Sequence, residues 1–150
     1  MSDELRALYQ EVLIDHAKRP RNFRELAGAV SVEGYNPLCG DRIRLYVTRD
    51  DGQLRELTFT GSGCAISTAS ASMMTEALKG KSIAEADDLA ERFQHLVTSP
   101  MDEAVDEERL GKLAIFAGVR EFPVRVKCAT LAWHSLRSAL HGDHAVVSTE

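Results

Sequence analysis

The sequence predicts an α+β fold, a small antiparallel meander sheet with helices packed on one face. Three observations carry this. Residues 29–60 alternate apolar and polar side chains with period two. Asp50-Asp51-Gly52 divides that stretch with residues that tolerate positive φ, as a hairpin turn needs. On either side, apolar residues recur every three or four positions, the helical period. A length of 150 residues suits one domain over 1–150, with an acidic insertion at about 99–110 and a frayed tail at about 142–150.

The elements follow in order. Leu5, Leu8, Tyr9, Val12, Leu13 and His16 share one helical face, Asp3 and Glu4 suit the positive end of the dipole, and Pro20 ends the helix. Val30 to Gly34, Arg42 to Val47 and Leu54 to Thr60 read as three strands. Gly61-Ser62-Gly63-Cys64 breaks the last of them. A helix of small side chains then runs from Ala65 to Leu78, and Gly80 closes it. Ser82 and Glu85 form a capping box for the next helix, whose face is Ile83, Ala86, Leu89, Ala90, Phe93 and Leu96. A short helix is expected near 107–117. A final helix opens at Cys128 and carries Leu131, Ala132, Leu136, Ala139 and Leu140.

Composition excludes several functions. A hydrophobic fraction of 44% with 27% charged residues is that of a globular protein rather than a disordered one. A net charge of -5 argues against nonspecific nucleic-acid binding, which needs clustered Lys and Arg. No apolar run reaches the roughly 20 residues that span a bilayer, and the acidic start lacks the pattern of a signal peptide. The expectation is a cytoplasmic protein. There its 3 cysteines are thiols or metal ligands rather than disulfides.

Cys39 lies in a turn entering a strand, while Cys64 and Cys128 each open a predicted helix, where the dipole favours a thiolate. A cytosolic cysteine is often only a small buried hydrophobe, and no Cys-x-x-Cys knuckle is present. Asp41 adds to the pattern. In extended chain, positions 39 and 41 point the same way, so a thiolate and a carboxylate converge. Cys39, Asp41, Cys64 and Cys128 would then fill the four positions that zinc requires. Gly61-Ser62-Gly63 lacks the third glycine and the lysine of phosphate-binding loops, so it reads as a tight turn. His134, His141 and His144 suit a helix C-terminus; the acidic run from Asp102 to Glu108 suits a solvated face. Trp133 reads either as core or as an exposed docking residue.

Four segments together resemble the U-type iron–sulfur assembly family. They are Asp15-His16-x-x-Arg19-Pro20-Arg21-Asn22, Asn36-Pro37-Leu38-Cys39-Gly40-Asp41, Gly61-x-Gly63-Cys64-Ala65-Ile66-Ser67 and Val126-Lys127-Cys128-Ala129-Thr130-Leu131. The resemblance spans about residues 5 to 140. It has two branches: IscU scaffolds for a [2Fe–2S] cluster, and zinc-bound SufU sulfur acceptors. IscU proteins carry a histidine before the last cysteine, where this chain has Lys127. SufU proteins carry an insertion ahead of that cysteine, where this chain has its acidic stretch. The resemblance therefore implies a SufU-like zinc-dependent sulfurtransferase, with Cys39, Asp41, Cys64 and Cys128 as zinc ligands and Cys39 as the thiol that accepts persulfide sulfur. It implies a SufS-type cysteine desulfurase as donor, met through Arg125 with Lys127 nearby, and a SufB-containing scaffold complex as the next acceptor. It implies too that a desulfurase histidine takes the place of Cys39 at the metal on docking. A transient [2Fe–2S] scaffold and a structural zinc module that only activates the desulfurase are the alternatives.

Overall fold

The computed structural model describes residues 3–142 and 147–148. The chain runs α1 (Asp3–Lys18), β1 (Val30–Asn36), β2 (Asp41–Asp50), β3 (Gln53–Ser62), α2 (Ala65–Leu78), α3 (Ile83–Thr98), α4 (Glu107–Leu110), a 3₁₀ segment (Gly111–Glu121), α5 (Pro123–His141) and β4 (Val147–Ser148). The sheet order is β3-β2-β1-β4. β1, β2 and β3 form the antiparallel meander that the alternation predicts. Asp51 and Gly52 both take positive φ, the backbone of a type I′ hairpin turn.

One face of the sheet holds the core. Val32, Ile43, Leu45, Val47, Leu57 and Phe59 are buried beneath the helices, whereas Glu33, Arg42 and Arg44 on the other face are exposed. α5 lies directly on β1 at Gly34, where a Cβ would meet Ser135 Oγ at 2.4 Å and Leu131 Cδ1 at 3.0 Å. That approach sets the depth at which Cys128, on the same helix, meets the sheet. The small side chains of α2 let it pack closely too: Ser70 Oγ donates to the Ala129 carbonyl at 2.6 Å and accepts from Trp133 Nε1 at 3.1 Å. Trp133 stacks on Phe93, with ring centroids 4.6 Å apart, so it is a core residue and not an exposed docking one. α3 starts with the predicted cap, Ser82 Oγ accepting from Glu85 N at 3.1 Å.

Four expectations need correction. The tail is not wholly frayed: Val147 and Ser148 pair in parallel with Gly34 and Tyr35, which makes the sheet mixed. Residues 143–146, including His144, and residues 149–150 lie outside the described set, as does the side chain of Leu5. Leu8 is 53% exposed, because the buried stripe of α1 runs instead along Tyr9, Val12, Leu13 and His16. The helix expected near 107–117 is one α turn followed by 3₁₀ backbone to Glu121. Finally, the last helix starts at Pro123, since proline suits the first helical turn, where its missing N–H has no partner to lose. The insertion over 99–110 is held by Arg120, whose guanidinium donates to the carbonyls of Pro100, Met101 and Glu103.

α1 is fastened to α2 by a buried polar cluster. His16, 3% exposed, places Nδ1 2.7 Å from Ser72 Oγ, which also accepts from Arg21 N at 2.8 Å. Asn22 Nδ2 donates to Thr75 Oγ1 at 3.1 Å. Burial, and next the Arg21 charge, hold the His16 pKa below its ordinary value. The unfolded chain, with a histidine pKa near about 6.5, therefore takes up this proton first. Its contribution to stability is complete above that pH and is lost as the pH falls through it toward the folded pKa. His134, depressed by burial and Arg137, acts in the same direction. Urea titrations from pH 7 to pH 5 are expected to show wild-type stability falling with acid, and a shallower fall for His16→Asn. Equal slopes would remove His16 from this account.

Candidate metal centre

The structure brings three of the four predicted ligands to one place. β1 ends at Asn36 and β2 begins at Asp41, so residues 37–40 are the turn between them, with Gly40 at φ +71. Cys39 sits in that turn and is exposed; Asp41 opens the strand and is 0% exposed. Cys128 enters from α5 and is also 0% exposed. The donor atoms of Cys39, Asp41 and Cys128 all lie within 4.8 Å of one another. The two sulfurs are 3.2 Å apart, and the cysteines are free.

Cys64 borders this group without belonging to the close set of three. It caps α2 as predicted, its sulfur accepting from Ser67 N at 3.4 Å. Its own N–H donates to Asp41 Oδ1 at 2.9 Å. Gly63 makes that possible, since a Cβ there would meet Asp41 Oδ1 at 2.7 Å. The glycines before Cys64 thus clear room for the carboxylate, as the tight-turn reading expects.

Cys128 departs from its expected setting. It lies in the second turn of α5, so the helix N-terminus does not favour its thiolate. Burial instead pushes its thiol well above the ordinary range, and Cys39, Asp41 and Cys64 add to that in turn. Three acidic neighbours thus add to burial in raising the cost of ionising Cys128. A dication relieves that cost. The donor set, soft sulfur with one carboxylate, also matches the preferences of zinc.

Asn36 opens the Asn36-Pro37-Leu38-Cys39-Gly40-Asp41 segment, and its sequence gives no sign of a role. It is fully buried, and its Nδ2 donates to Asp41 Oδ2 at 3.1 Å and to Cys128 Sγ at 3.4 Å. Arg125 is exposed and Lys127 half-buried, one turn of α5 or less from Cys128. Phe122 and Val124, at the start of the same helix, are 56% and 53% exposed.

Comparison with known proteins agrees with this architecture. Residues 8–129 match the NifU-like N terminal domain. The chain is 44% identical to the iron–sulfur cluster assembly scaffold protein IscU of Streptococcus pyogenes serotype M1, over 91% of this chain and 85% of the relative. It is 42% identical to the zinc-dependent sulfurtransferase SufU of Bacillus subtilis, over 91% of each. A crystal structure of a candidate scaffold protein for the SUF system, from Fervidobacterium islandicum AW-1, superposes with a TM-score of 0.81 at 32% identity, covering 93% of this chain and 99% of that one. By sequence and by fold alike, the chain belongs to the IscU/SufU family, built on the NifU-like N-terminal domain.

Proposed function

We propose that this chain is a zinc-bound sulfur acceptor of iron–sulfur cluster assembly, taking persulfide sulfur from a cysteine desulfurase of the SufS type and passing it on to a SufB-containing scaffold complex. The observation that carries the reading is the asymmetry of the site. Of three donors within 4.8 Å of one another, Asp41 and Cys128 are buried and Cys39 alone is exposed. A donor protein can reach Cys39 without opening the fold. Cys39, Asp41, Cys64 and Cys128 would hold the zinc, which when bound keeps thiols deprotonated and shielded from oxidation.

The chain's own chemistry is thiol exchange. The Cys39 thiolate attacks the outer sulfur of the donor's persulfide. A new S–S bond forms at Cys39 as the donor's S–S bond breaks, and the donor cysteine leaves as a thiolate. No net oxidation occurs and no further reactant is needed. Cys128 and Asp41, covered by α5 and the sheet, keep their places while this happens. Arg125 and Lys127 form the partner-binding side, their charges compensating the anionic donor set.

Lys127 favours this reading over a cluster scaffold, since it stands where the resemblance to IscU would place a histidine. The relative from S. pyogenes, named as an IscU scaffold, keeps the second reading in the test. Purified protein incubated with a cysteine desulfurase and [³⁵S]cysteine is expected to carry label that dithiothreitol releases. Zinc-loaded protein that activates the desulfurase yet stays unlabelled would support the structural module instead. Brown protein containing iron and sulfide would support the scaffold.

A further inference from the structure

The metal-centre reading leaves one buried side chain in the site without a role. Asn36 ends β1, directly opposite Asp41 in the ladder, and is 0% exposed. Its two amide N–H groups go to two candidate ligands on different elements, Asp41 on β2 and Cys128 on α5. Its carbonyl oxygen Oδ1 is buried and has no hydrogen-bond partner among the described residues. Turning the amide over would set Oδ1 against the Asp41 carboxylate and the Cys128 sulfur, both acceptors when ionised. The donor set therefore fixes the orientation of the amide, and the chain carries an unpaired buried carbonyl to keep both N–H groups there.

We propose that Asn36 is a positioning residue of the metal centre, its side-chain amide holding Asp41 and Cys128 in register with each other although they arrive from different elements. It donates to the ligands and is not one itself. Hydrogen bonds of this kind orient ligands and tune their donor strength. This assignment rests on the zinc reading of the same site.

The test uses the full chain and the metals themselves. Asn36→Leu keeps the volume and removes both donors. Zinc affinity, read by competition with a chromophoric chelator, is expected to fall about 10- to 100-fold. The visible bands of the Co²⁺-loaded protein should shift, a change that a purely structural role would not produce. Asn36→Ser keeps one donor with shorter reach and should fall between, which keeps the test decisive if the leucine variant does not fold. Wild-type affinity and unchanged Co²⁺ bands in the folded variant would overturn the role of Asn36 alone. Wild-type protein that takes up neither metal would overturn the metal centre and this assignment with it.

Discussion

A Cys39→Ala protein is expected to collect no sulfur from a cysteine desulfurase and to keep its fold. Cys39 is exposed in the turn between β1 and β2 and touches buried Cys128 only through its sulfur, so the metal-free variant should lie within about 0.5 kcal/mol of wild type. The remaining thiols cannot substitute. Cys128 is fully buried on α5, out of reach of a donor protein, and Cys64 is committed to capping α2. Label from [³⁵S]cysteine should drop to the level of a reaction without this protein. Undiminished label on Cys39→Ala would move the acceptor to another residue and end the role given to Cys39.

Asp41→Ala is expected to have the larger effect on stability. The carboxylate accepts from Cys64 N through one oxygen and from Asn36 Nδ2 through the other, so it joins the N-terminus of α2 to the end of β1. Its removal leaves the buried Asn36 amide short of an acceptor, at about 1–3 kcal/mol, before any metal is lost. Zinc affinity should fall by more than the roughly 10- to 100-fold seen when an outer partner of a ligand is removed. Because structural zinc contributes folding free energy, the variant should melt well below wild type when both are zinc-loaded, and the gap should narrow in the presence of a chelator. A gap that chelation leaves untouched would show that Asp41 acts only as a turn-capping carboxylate.

Much of this molecule was legible in its sequence, for local reasons. Period-two alternation from Arg42 to Val47 reports a strand buried on one face, and Asp51-Gly52 reports a turn that few other pairs can make. Ser82 with Glu85 reports a helix start. What the sequence concealed depends on tertiary contact. Val147 and Ser148 gain a strand only because β1 offers its free edge. α5 begins five residues before Cys128 because proline is tolerated in the first helical turn, so the helix dipole does not favour a Cys128 thiolate, although its sulfur lies 3.2 Å from that of Cys39. The likeness of Cys39 and Asp41 to ligands could be argued from spacing. The bridge that Asn36 makes could not, since it links residues 92 positions apart and appears only once α5 lies on the sheet.

The central claim is that the fold gathers Cys39, Asp41, Cys64 and Cys128 around one zinc ion. X-ray absorption at the zinc edge of the purified protein, with its metal content, tests this most directly. The account predicts one zinc per chain, with three sulfurs at about 2.3 Å and one oxygen at about 2.0–2.2 Å. A shell of oxygen and nitrogen alone, or a protein that binds no zinc at equimolar metal, would contradict it.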